Sequence, residues 1–139
     1  MAVKRYDGSA WQTVAGLGAQ GPAGATGATG ATGPSGDPTL TINAQTASYT
    51  LVLSDASKLV EISNASANTV TIPLNSSVAF PTGTQINILQ TGAGQTTIAG
   101  TSGVTLNSTP GAKLRAQWSA CTIIKRATDT WVVVGDLSA

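Results

Sequence analysis

An all-β fold of three parts is predicted: a short N-terminal β-hairpin anchor, a collagen-like triple-helical stalk, and a trimeric C-terminal domain of antiparallel-sandwich or jelly-roll type. Three observations predict it. Glycine recurs at every third position from Gly18 to Gly36, hydrophobic alternation of period two dominates after Thr39, and no segment carries a helical stripe.

The head, residues 1–17, contains Val3-Lys-Arg-Tyr6, then Asp7-Gly8, then Trp11-Gln-Thr-Val14. Two extended runs flanking Asp-Gly predict a hairpin, because glycine accepts the positive φ that tight hairpin turns require. Seventeen residues cannot bury such a hairpin alone, so Tyr6, Trp11 and Val14 are expected to dock on symmetry mates or on another protein.

The stalk, residues 18–38, places Gly18, Gly21, Gly24, Gly27, Gly30, Gly33 and Gly36 in strict phase. Three polyproline-II-like chains can share one axis only if the residue meeting that axis has no side chain, so this column predicts a homotrimer. Fully wound, the segment spans on the order of 65 Å. Only Pro22, Pro34 and Pro38 have φ fixed in advance, so the rod is expected to be weak without a trimeric domain holding the chains in register.

Residues 39–139 are the only part long enough for a core. Thr69-Val-Thr-Ile-Pro-Leu74 alternates cleanly, and comparable runs are Leu40–Ile42, Tyr49–Leu53, Leu59–Ile62, Gln85–Leu89, Thr96–Ile98, Val104–Leu106, Leu114–Lys125 and Trp131–Val134. Turn signals separate them, including Pro81-Thr-Gly83, Gly92-Ala-Gly94, Gly100–Gly103 and Pro110-Gly111. Roughly nine strands at this spacing favour an antiparallel arrangement. The Leu114–Lys125 run is expected to bend or bulge, moving side chains from one face to another, and to contribute to the trimer interface.

Candidate chemistry is sparse. The chain has no histidine, a net charge of +1 and only 9% charged residues, which removes His-based catalysis and His-rich metal sites and the basic footprint of a nucleic-acid binder. No cofactor pattern is present: Gly92-Ala-Gly94 lacks the lysine and helix of a phosphate loop and reads as a hairpin turn. No apolar run reaches membrane-spanning length. The pairs Asp55/Glu61 and Asp129/Asp136 are the nearest approach to paired carboxylates, but turn and strand-face roles account for them. Trp118 and Trp131 could stack on sugars, yet both lie in apolar runs where core packing is expected. Cys121 is expected to be buried.

The order Val3-Lys-Arg-Tyr-Asp-Gly-Ser-Ala-Trp11, the Gly-Ala-Thr triplets, and the ending Ala127-Thr-Asp-Thr-Trp-Val-Val-Val-Gly-Asp-Leu137 resemble collagen-like fibre and minor tail proteins of bacteriophages. Ser54–Asn64 and Gly83–Gly94 resemble the trimeric tip domain of such fibres. The resemblance implies a non-enzymatic homotrimer assembled in the host cytoplasm and carried on the virion. Its N-terminal segment would dock on another virion protein, and its distal knob would meet the host surface, with a cell-surface glycan as the expected ligand. A capsid decoration fibre is the alternative, and a polysaccharide-trimming enzyme a more distant one.

Overall fold

The computed structural model describes residues 3–13, 21–28, 36 and 39–139. The chain divides into two compact units, 1–36 and 37–139.

In the first unit, β1 (Lys4–Tyr6) and β2 (Trp11–Thr13) form the expected antiparallel hairpin, with Tyr6 opposite Trp11 and Lys4 opposite Thr13. Residues 21–28 carry no regular secondary structure and are exposed.

The second unit is two packed sheets around one apolar core. Its strands are β3 (Ile42–Gln45), β4 (Tyr49–Thr50), β5 (Leu59–Ile62), β6 (Asn68–Ile72), β7 (Gln85–Gln90), β8 (Thr96–Gly100), β9 (Thr105–Asn107), β10 (Lys113–Leu114), β11 (Ala120–Ala127), β12 (Thr130–Gly135) and β13 (Leu137–Ser138). One sheet has the order β3-β5-β7-β11-β12-β9 and the other β13-β10-β8-β6-β4. From β3 to β11 every successive strand changes sheet. Alternation drives the packing: Val60, Ile62, Ile86, Ile88 and Ile123 point inward from the six-stranded sheet and meet Val70, Ile72, Ile98 and Leu114 from the five-stranded one. Phe80 and Trp131 close the core edge to face, their ring centroids 5.5 Å apart.

The antiparallel expectation is corrected. β3 pairs with β5, β5 with β7, β4 with β6, β6 with β8, and β9 with β12, all parallel. Antiparallel pairing is confined in this unit to β7-β11-β12 and β8-β10-β13. Parallel neighbours need a crossover, and here the crossover is the intervening strand of the opposite sheet. Residues 42–100 therefore wind as stacked coils.

The corners of these coils explain two glycines. The segment Gly92-Ala93-Gly94 is not a hairpin turn; it carries the chain from β7 to β8 and stacks on the corner beneath it. A Cβ on Gly92 would lie 2.2 Å from the Asn64 carbonyl oxygen, and one on Gly94 would lie 2.1 Å from that of Ser66. The same sequence offset relates Asn64 to Gly92, Ser66 to Gly94, Val60 to Ile88 and Val70 to Ile98. The Gly94 amide donates to the Asn64 carbonyl at 2.8 Å, locking the two corners together.

The long Leu114–Lys125 run does bend, as expected. It leaves the five-stranded sheet after Leu114, turns through residues 115–119, and enters the six-stranded sheet at Ala120, with a register shift between Lys125 and Ala127.

Two charged residues, Asp55 and Lys125, are buried among the described residues. Asp55, fully buried, accepts hydrogen bonds from Asn43 Nδ2 at 2.7 Å, Val52 N at 2.9 Å and Tyr49 Oη at 3.0 Å. Burial pushes the Tyr49 phenol above its usual 10.0, with Asp55 adding to the shift and the hydrogen bond from Asn43 opposing it, so the hydroxyl keeps its proton and can donate. Lys125 lies inward on β11, where its Nζ donates to the Phe80 carbonyl at 2.6 Å and to Asn75 Oδ1, 5.9 Å from the centre of the Trp131 ring.

Replacing Gly94 with alanine is expected to lower stability by about 1–3 kcal/mol, because backbone rather than a flexible side chain blocks the added methyl. Thermal unfolding followed by circular dichroism checks this, with Gly27→Ala leaving the transition of the second unit unchanged.

Candidate functional site

Between β1 and β2 the chain turns through Asp7-Gly8-Ser9-Ala10, with Gly8 at φ +99°. The Asp7 carboxylate organises this turn: its Oδ1 accepts from Ala10 N at 2.9 Å and Ser9 N at 3.0 Å, and Asp7 N donates to the Ala10 carbonyl at 3.1 Å. The hydrogen bonds from the Ala10 and then the Ser9 amide lower the Asp7 pKa from 3.8 to about 2. Tyr6 and Trp11 stack at a tilt with ring centroids 5.3 Å apart, yet remain 53% and 67% exposed. A rigid turn thus presents an open aromatic pair. Val14, the third residue expected to dock, lies outside the described residues.

Of the glycine column, Gly21, Gly24, Gly27 and Gly36 fall among the described residues; Gly18, Gly30 and Gly33 do not. None of the four has the positive φ that favours glycine, and a Cβ on any of them would meet nothing within 4 Å. No collagen-like helix is seen among the described residues. Glycine here answers to no demand of its own chain, in contrast to Gly92, Gly94, Gly111 and Gly135, where a Cβ would run into nearby backbone.

The carboxylate pairs do not assemble a catalytic cleft. Asp55 is enclosed between the sheets, whereas Glu61 alternates with buried Val60 and Ile62 and so faces away from it. Asp129 Oδ1 accepts from Asn75 N at 2.6 Å. Asp136 forms an ion pair with Arg115 at 2.7 Å and accepts from Ser119 Oγ at 2.6 Å. No group of three or more metal-ligating side chains occurs among the described residues, and no helix there is long and apolar enough to cross a membrane. Two shallow concavities, of about 290 and 310 Å³, are lined by Leu40, Ser57, Thr84, Gln85 and Asn87 and by Asn107–Thr109 and Val132–Gly135, with no acid or base in either.

Cys121 is buried, and burial alone pushes its thiol up to about 12, which keeps it protonated and unreactive at neutral pH. The two tryptophans separate. Trp131 is core, as expected, but Trp118 is 68% exposed at φ +70°. The tight turn decides this: Trp118 N donates to the Gln90 carbonyl at 2.7 Å, Ser119 N to the Ala116 carbonyl at 3.0 Å, and Gln117 Nε2 to the Thr91 carbonyl at 2.8 Å. Sequence alternation through residues 114–124 put Trp118 in phase with buried Leu114, and nothing local to it announced the break in the strand. Lys125 was also missed, although its place two residues after Ile123 on the same strand was the available signal.

No family model, curated protein or solved structure matches this chain.

Because the folded turn lowers the Asp7 pKa, the stabilisation it contributes is present above pH 3.8 and is lost as the pH falls through about 2. The Ser9 and Ala10 amide resonances should therefore titrate with a midpoint near 2 rather than 3.8. Asp7→Asn should abolish that titration.

Proposed function

We propose that the chain is a non-enzymatic bacteriophage virion fibre: a homotrimer whose N-terminal hairpin docks on another virion protein, whose glycine column winds a triple helix, and whose β unit forms a knob for host-surface attachment. One observation carries the reading. Glycine holds every third position from Gly18 to Gly36, and where the column is described neither φ nor crowding within the chain requires it. A triple-helical axis supplies the missing requirement, since only there does a side chain at every third residue meet two neighbouring backbones.

The ends of the chain fit the two remaining tasks. Tyr6 and Trp11 are large apolar surfaces held open on a rigid turn, the kind of anchor that supplies much of the energy of a protein contact. Three copies of the knob on one stalk raise the effective concentration of each site, so weak contacts to a surface glycan add up to firm attachment. Trp118, exposed and held by its turn, is an aromatic face suited to such contacts.

The intact chain should sediment as a trimer and show the positive far-UV band of a triple helix. Gly27→Val should abolish that band while the β unit keeps its spectrum. A trimer whose band is indifferent to Gly27→Val would rule out the winding, and a single subunit would rule out the fibre. Deletion of residues 1–16 should prevent incorporation into particles without changing the sedimentation of the free protein.

A further inference from the structure

Lys125 is a buried amine that the fibre reading leaves unused. Its side chain lies inward on β11 at 3% exposure, and among the described residues no carboxylate comes within ion-pair distance of Nζ. Burying an ammonium without a counter-charge is costly. Its surroundings are neutral instead: the Phe80 carbonyl accepts from Nζ at 2.6 Å, the centre of the Trp131 ring lies 5.9 Å away, and Asn75 Oδ1 also accepts from Nζ. An amine and a carboxamide are thus held in contact at the edge of the core.

Both partners are clamped by backbone. Lys125 N donates to the Thr84 carbonyl at 2.9 Å, and Gly83 N donates to the Lys125 carbonyl at 2.8 Å. The Asn75 backbone amide donates to Asp129 Oδ1 at 2.6 Å, while the Asp129 carbonyl accepts from Thr105 N at 2.7 Å. Asn75 Cγ is one C=O bond, about 1.2 Å, from the oxygen that Nζ touches, so the pair stands close to the separation of about 3–3.5 Å from which a nucleophile attacks. Lysine amines act as nucleophiles when they are taken out of water.

We propose that Lys125 and Asn75 condense to an intramolecular amide, a covalent cross-link between β11 and the segment that follows β6. Nζ attacks Cγ, the Cγ–Nδ2 bond breaks, and Nδ2 departs. Counted from the protonated amine, Nζ gives up two protons and keeps one; both reach Nδ2, which leaves as ammonium, and no oxidant, reductant or cofactor is consumed. The Asp129 carboxylate, bonded to Asn75 but not touching Nζ, is the base that relays them by way of one water. Asn75 is half-buried, which gives the leaving group a way out. The amide is neutral, so the cost of the buried charge disappears with the reaction. The joined residues are 50 positions apart, and the bond ties the antiparallel end of the unit to its coiled end. No second copy takes part, so the cross-link is independent of the fibre reading.

Mass spectrometry of the full folded chain tests it. The intact mass should lie about 17 Da below that of the sequence, the loss of one ammonia. Trypsin should then release residues 59–113 joined to residues 116–126, because an acylated Lys125 is not cut. Asn75→Ala should have the full mass of its own sequence and release the two fragments separately, as should Lys125→Arg if the first variant fails to fold. Asp129→Asn keeps an oxygen to accept from the Asn75 amide but loses the base; in freshly synthesised chain it should fold normally and form the bond about a hundredfold more slowly. An unchanged rate would overturn the relay and leave the bond standing. A folded native chain that keeps its full mass would overturn the bond, Lys125 then being a donor to two oxygens and nothing more. A loss of about 17 Da with the two fragments separate would place the change in a cyclic imide and overturn the bond as well.

Discussion

Coil-on-coil stacking is the constraint on which the second unit depends. Each pass of the chain lays one strand in the six-stranded sheet and the next in the five-stranded sheet, so a shift in the register of one pass would displace both sheets at once. The corners fix that register. Gly92 and Gly94 let one corner settle directly on the backbone of Asn64 and Ser66, and the Gly94 amide bonds across. The first pass is fixed differently, by the buried Asp55 carboxylate, which gathers Asn43, Tyr49 and the Val52 amide into one cluster. Polar groups are costly to bury unless their bonds are made, so this cluster holds one arrangement of the opening coil.

The later strands change the rule. After β9 the chain crosses to β10, returns along β11, and makes its one hairpin of the unit, β11-β12, with Asp129 at φ +50° in the turn. These antiparallel strands cover the core with Ile123, Trp131 and Val133 and bring Lys125 over the Phe80 carbonyl. Winding at one end and folding back at the other give two sheets whose inner faces match.

The first unit works by other means. Its described residues are all exposed, and what holds its turn is a single carboxylate bonded to two backbone amides, a local device that needs no neighbours. A turn so fixed can carry two aromatic rings into solvent in a defined arrangement, which lowers the entropy lost when a partner covers them. The glycine column is the reverse case: at Gly21, Gly24, Gly27 and Gly36 neither φ nor crowding within the chain requires glycine, and it is the proposed triple helix that would give the regularity its meaning.

Local chemistry was legible in the sequence. The Asp7-Gly8 hairpin, the strand runs Leu59–Ile62 and Gln85–Leu89, the burial of Cys121 and the bend after Leu114 all follow from turn residues and alternation, which act between near neighbours. Strand partnership was not legible, because alternation states which face of a strand is buried and is silent on whether the next strand runs with it or against it. The same glycine pair, Gly92 and Gly94, could serve a hairpin or a stacked corner, and only the backbone beneath it, at Asn64 and Ser66, decided between them. Trp118 lies outside the expected core and Lys125 is buried for the same reason: a turn held by Gln90 and Thr91, and acceptors offered by Asn75 and Phe80, come from distant parts of the chain and outweigh the preference of a single side chain.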